Sequence, residues 1–130
     1  MGTLTTKLTL SSSNLTSDSL NLAVSKILTV AGDVRLYKTV TSATKATLLA
    51  AASYGKSYVY LKNMDDSIVI SIGMDTEADD TVDNDATDIF MTLGAGEFAF
   101  FPWAGTYDLH VDAASGTPTL EVRIYQALAA

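Results

Sequence analysis

The sequence predicts an all-β protein, an antiparallel two-sheet β-sandwich with about eight to ten short strands. Three observations predict it. Apolar and polar residues alternate along most of the chain, as they must where one face of a strand is buried and the other is wet. Ser and Thr number 29 of 130 residues, Val and Ile are frequent, and Pro occurs only twice, a mixture that suits a pleated, half-buried surface. Polar turn clusters divide the alternating runs at intervals of roughly 8–12 residues.

The elements follow in order. Leu4, Leu8 and Leu10 share one parity, with Thr3, Thr5, Lys7 and Thr9 on the other. After the turn-like "SSSNLTSD" come Leu20, Leu22, Val24, Leu28 and Val30, interrupted by Lys26, where a bulge or an edge is expected. Val34, Leu36 and Val40 mark a third strand. Residues 42–55, "SATKATLLAAASYG", are alanine-rich and alone invite a helical reading, but they are too short to change the class.

Val59 and Leu61, between Ser57 and Asn63, form the next strand, and Ile68, Ile70 and Ile72 the one after. "NMDDS", residues 63–67, is expected to join these two as a hairpin. Ile89, Met91 and Leu93 follow, and "GAGE" at 94–97 turns the chain into "FAFFPW". Pro102 cannot donate to a sheet ladder, so that strand ends there or lies at an edge. Tyr107, Leu109 and Val111 alternate with Thr106, Asp108, His110 and Asp112; Leu120, Val122 and Ile124 alternate with Thr119, Glu121, Arg123 and Tyr125. One apolar face per strand favours two packed sheets over a closed barrel.

The chain is expected to be one sandwich domain over residues 1–130, with residues 1–20 as an N-terminal arm able to add a strand to a neighbouring subunit. Residues 74–88 form an acidic loop. From Asp75 to Asp88 the sequence carries seven acidic groups and no Lys or Arg, and the other 116 residues carry eight acidic and eight basic groups. This one stretch therefore supplies the whole formal charge of −7.

Composition excludes several function classes. The absence of cysteine removes disulfide frameworks, zinc ribbons and thiol catalysis. Clustered Lys and Arg, which phosphate binding requires, are missing, so no nucleic-acid partner is expected. No apolar run approaches the ~20 residues of a membrane span, so no membrane partner is expected.

The candidate sites are weak as chemistry. The acidic stretch lacks the glycine and terminal glutamate of an EF-hand loop; Asp79, Asp83 and Asp85 leave an irregular calcium site open, against a loop held extended by like charge. Asp108, His110 and Asp112 share a strand face, but neighbours two apart do not converge on one ion unaided, and an ordinary polar outer face is the simpler reading. His110 is the only histidine, and no spacing singles out a nucleophile. No catalytic, metal or cofactor site is expected, and no enzyme.

The densest aromatic patch is Phe98, Phe100, Phe101, Trp103 and Tyr107. Phe98 and Phe100 share a parity suited to core packing, and Trp103 suits a strand-end plug. Phe101 points to the opposite face from Phe100. Phe101, Trp103 and Tyr107 are the interface candidates, for a partner chain or, through Trp103 and Tyr107 with Asp108 and His110, for a sugar ring.

Two stretches carry a resemblance. "LTLSSSNLTSDSLNLAVSKILTV", and "SYVYLKNMDDSIVISIG" followed by "FMTLGAGEFAFFPW" and "LEVRIYQA", together resemble small virion structural proteins of tailed bacteriophages of the marine and cyanophage type. The resemblance runs from about residue 8 to 126 and lies in strands and turns. It implies a β-sandwich of jelly-roll-like form and a capsid decoration or cement protein in the virion, assembled in the host cytoplasm, with the major capsid protein and its own copies, as a homotrimer, for partners. A tail or neck adaptor, a fibre-base protein and a virion-displayed carbohydrate-binding module are the alternatives. The acidic segment is longer than the simple hairpin that the pattern implies.

Overall fold

The computed structural model describes residues 2–74 and 89–127. The chain divides into two compact units, one of residues 1–32 with 127–130 and one of residues 33–126.

The first unit is a long antiparallel hairpin. Strand β1 (Gly2–Ser12) pairs with the first half of β2 (Leu20–Val40), in unbroken register from Gly2 opposite Val30 to Ser12 opposite Leu20. Because side chains alternate, the pairing sorts the hairpin into two faces. One carries Leu4 with Leu28, Thr6 with Lys26, Leu8 with Val24 and Leu10 with Leu22; the other carries Thr3 with Thr29, Thr5 with Ile27 and Thr9 with Ala23. Of the bulge or edge expected at Lys26, the register shows no bulge. Thr6 stands directly opposite it, and the Thr6 hydroxyl donates to the Lys26 carbonyl at 2.9 Å. The two strands expected over 20–30 and 34–40 are one strand of 21 residues. Leu28, Val30, Val34, Leu36 and Val40 are all even-numbered, so the two-residue period carries on through Gly32 and Asp33.

The second unit takes the rest of β2 with β3 (Ala46–Leu49), the one-turn helix α1 (Ala51–Tyr54), β4 (Ser57–Asn63), β5 (Ile70–Met74), β6 (Ile89–Leu93), β7 (Phe98–Trp103), β8 (Leu109–Ala113) and β9 (Thr119–Ala127). One sheet runs β2-β9-β4-β7 and the other β3-β8-β5-β6, and every pairing with a defined register is antiparallel. From β2 to β9 the chain changes sheet at each step except between β5 and β6. This is the order of an eight-stranded jelly roll. Residues 42–55 hold a strand and a single helical turn, whose first N–H, at Ala51, is capped by the Asp108 carboxylate at 2.7 Å.

The turn at 63–67 is not a hairpin, because β4 and β5 belong to different sheets. Asn63 explains the redirection. Its buried side-chain amide donates to the carbonyls of Ile68 at 2.7 Å and Leu93 at 2.9 Å, and its oxygen accepts from the Asp65 N–H at 3.0 Å. Asp65 in turn accepts from the N–H groups of Ser67 and Ile68, both at 2.8 Å. Two successive Asx turns therefore carry the chain across to the second sheet.

The core lies between the sheets and is built from alternate residues: Val59 and Leu61 of β4, Leu120, Val122 and Ile124 of β9, and Trp103 of β7 face Ile70 and Ile72 of β5, Leu93 of β6, and Leu109 and Val111 of β8. Burying each large apolar side chain contributes about 1.5–3 kcal/mol. Gly105, at φ +73°, approaches the Gly55 main chain so closely that a Cβ there would collide with it. Only glycine fits that crossing.

Candidate functional site: an aromatic sheet face

Alternation that fills the core also dictates what stands on the outer face of the β9-β4-β7 sheet. In β4, Ser57, Val59, Leu61 and Asn63 are buried, so Tyr58, Tyr60 and Lys62 point outward. The registers align these with β7 and β9 into three rungs: Tyr125, Tyr58 and Pro102; Arg123, Tyr60 and Phe100; Glu121, Lys62 and Phe98. Five aromatic rings and a proline thus share one face. Phe98 is 63% exposed and Phe100 41%, and on β2, elsewhere in the sheet, Leu36 and Val40 are also exposed.

The rings are held in a defined arrangement. The Tyr60 and Phe98 centroids lie 6.4 Å apart with planes inclined by 31°. The Arg123 guanidinium stands over the Tyr60 ring at 5.8 Å and the Lys56 ammonium over the Tyr58 ring at 5.7 Å, both within cation–π range. Arg123 also approaches the Glu121 carboxylate at 3.9 Å. Partial burial pushes the Tyr60 hydroxyl above its usual range and the Glu121 carboxylate pushes it further, with Arg123 opposing. Tyr60 therefore remains a neutral hydrogen-bond donor through the neutral pH range.

The interface candidates are placed differently from one another. Trp103 is 2% exposed, and its indole N–H donates to the Tyr107 carbonyl at 3.1 Å. Phe101 turns inward, half-buried against the core and edge-on to Phe90 at 6.3 Å. Tyr107 is exposed. The inward face of β7 is thus Ala99, Phe101 and Trp103, and the expected core pair Phe98 and Phe100 stands outside. Both parities of "FAFFPW" are aromatic, so alternation alone cannot orient the strand. Trp103, the largest side chain, decides it by filling the core. Tyr58, Tyr60 and Tyr125 escaped the sequence reading, although "SYVYLKN" sets its tyrosines out of phase with Val59 and Leu61.

The polar triplet around His110 does not converge. Asp108 is committed to the α1 cap, and Asp112 is half-buried. His110 is buried, not part of a wet outer face, because β8 lies between β3 and β5 and places it opposite Thr47 and Gly73. Among the described residues no three His, Asp or Glu side chains gather as metal ligands; the acidic stretch from Asp75 to Asp88 lies outside those residues.

A cleft lined by Val34, Arg35, Ser53, Tyr54, Ile124 and Gln126 holds about 180 Å³, below the ~300 Å³ at which small-molecule pockets begin, and the larger depressions, about 630 Å³ beside Leu36 and Tyr37 and about 530 Å³ beside Met91 and Phe98, are shallow and open to solvent. The aromatic face is flat by comparison, and it combines the residue types enriched where proteins bind one another, Tyr, Phe and Arg. No protein-family model matches the chain, and no curated protein matches it.

Proposed function

We propose that the protein is a non-enzymatic structural component of a tailed-bacteriophage virion, a decoration or cement subunit that binds the assembled major capsid protein. The observation that carries this reading is the three-rung aromatic face. Its phenylalanines are exposed and its tyrosines half-buried; all are pre-ordered by the sheet and accompanied by Arg123, Glu121 and Lys62, so little side-chain entropy is lost when a partner covers them. The reading joins this face to the strand-and-turn resemblance to small virion proteins. Jelly rolls serve both viral capsids and lectins, so the fold admits the role and the face must argue for it.

Purified protein added to source-phage heads lacking it should saturate defined positions on the shell, visible by electron cryomicroscopy. Density confined to the tail, or none on the head, overturns the reading.

A carbohydrate-binding role is the second reading, and the side-by-side Tyr60 and Phe98 rings favour it over a version built on Trp103, whose ring is buried. A glycan array with hits that vanish in Tyr60→Ser would select it.

A further inference from the structure

We propose that the Leu/Val face of the N-terminal hairpin is an interface between copies of this chain. The hairpin is two-sided. Leu8 opposite Val24, Leu10 opposite Leu22, and Leu20 opposite Ser12 occupy three consecutive rungs of one face. Their apolar side chains are 44–54% exposed. The reverse face is Thr- and Ser-rich, with Asn21 and Lys7, and its one large apolar side chain, Ile27, stands alone at 65% exposure. A two-stranded ribbon is marginal in water unless its apolar face is packed. The unbroken register of this one therefore implies that something covers the leucines.

A second copy fits better than any other occupant. The five exposed side chains present on the order of 400 Å² of apolar surface, the size at which a patch marks an association site. Two such faces, with Leu4, Leu28 and the bordering main chain, approach the ~1,000 Å² that separates a biological interface from a chance contact. The face is also self-complementary. It carries no carboxylate, and its one charge, Lys26, lies outside the continuous block of the Leu8/Val24, Leu10/Leu22 and Ser12/Leu20 rungs, between that block and the Leu4/Leu28 rung. An identical face can therefore stack on it at sheet-packing distance with no charge left unpaired in the centre. A dimer stacks two faces and a trimer closes three about an axis; both use these residues.

This inference stands apart from the capsid reading, because it requires no other protein. Sedimentation velocity of the full chain at micromolar concentration should give an oligomer, and the double variant Leu10→Asp/Leu22→Asp should sediment as a monomer with the melting of the jelly-roll unit unchanged. A control on the reverse face, Thr9→Asp/Ala23→Asp, should keep the oligomer, which separates loss of the interface from loss of the ribbon. Phe98→Ser/Phe100→Ser should keep it as well, which separates this interface from the aromatic face. A monomeric wild type overturns the proposal, and so does an oligomer that survives in Leu10→Asp/Leu22→Asp or is lost in either control.

Discussion

The indole N–H of Trp103 donates to the main-chain oxygen of Tyr107 across the end of β7, at 3.1 Å. The ring that is best suited by size to stack on a ligand is instead spent on closing the core. Trp103→Ala should therefore cost about 3–5 kcal/mol, the usual toll for emptying a large aromatic site. Trp103→Phe should cost less, chiefly for the unpaired Tyr107 carbonyl and the smaller ring. Urea denaturation followed by far-UV circular dichroism measures both. Partner binding by the folded Phe variant should match wild type.

Asn63 holds together the crossing between the sheets. Its amide serves two carbonyls, of Ile68 and Leu93. Asn63→Ala should destabilise the second unit by about 2–4 kcal/mol, since leaving buried acceptors unpaired is more costly than the net value of the bonds themselves. Asn63→Asp should be worse near neutral pH than in acid, because its carboxylate would face two carbonyl oxygens without a proton to offer. Denaturation midpoints at pH 7 and pH 4 test the contrast.

Lys45, just before β3, is buried, and its Nζ has no hydrogen-bond partner among the described residues. An ammonium desolvated without a partner opposes folding. Lys45→Met keeps the aliphatic length and removes that penalty, so it should raise stability by about 1–3 kcal/mol, read as an upward shift of the urea midpoint. A destabilised Met variant would show that the charge is compensated.

Asp65 gives the fold a pH dependence of known sign. Hydrogen bonds from the Ile68 and Ser67 N–H groups hold its carboxyl below the ordinary value of 3.8. A depressed folded pKa favours the folded state above the unfolded value, and that contribution is lost as pH falls through the folded pKa. Asp65→Asn keeps an acceptor and removes the charge. Its melting temperature should lie below wild type at pH 7, and the gap should close on acidification below the folded pKa. A gap that persists in strong acid would place the effect elsewhere.

What the sequence disclosed follows from how far period-two patterning reaches. Val59 with Leu61, and Leu120 with Val122 and Ile124, each have a polar or amphipathic opposite face, so their orientation was legible and the two-sheet class followed. "FAFFPW" has apolar side chains in both phases, and the orientation of β7, with the aromatic face it creates, was therefore not legible. The crossing at 63–67 looked like a hairpin because local turn chemistry is the same in both cases. What distinguishes them is the long-range bond from Asn63 to Leu93, thirty residues away. His110 read as wet because alternation gives a side, not a depth: a strand between two others can bury both of its faces.

Tyr60 and Phe98 on one side of the large sheet, and Phe101 on the other, should separate binding from folding. Tyr60 and Phe98 face outward and meet each other at 6.4 Å, so Tyr60→Ser/Phe98→Ser should change stability by no more than about 1 kcal/mol. If the protein is the capsid-binding subunit proposed above and this face is its docking surface, the same variant should weaken binding to phage heads by more than tenfold, since central aromatic residues carry most of an interface's energy at 2 kcal/mol or more each. Phe101→Ala should show the reverse, a loss of about 3 kcal/mol or more in stability with binding retained by the folded fraction, because Phe101 packs on the core and meets Phe90 edge-on. Co-sedimentation with heads and thermal melting, run on both variants, read the two effects independently. Binding that survives in Tyr60→Ser/Phe98→Ser would move the docking surface away from β4 and β7, to the exposed Tyr107 or to the hairpin.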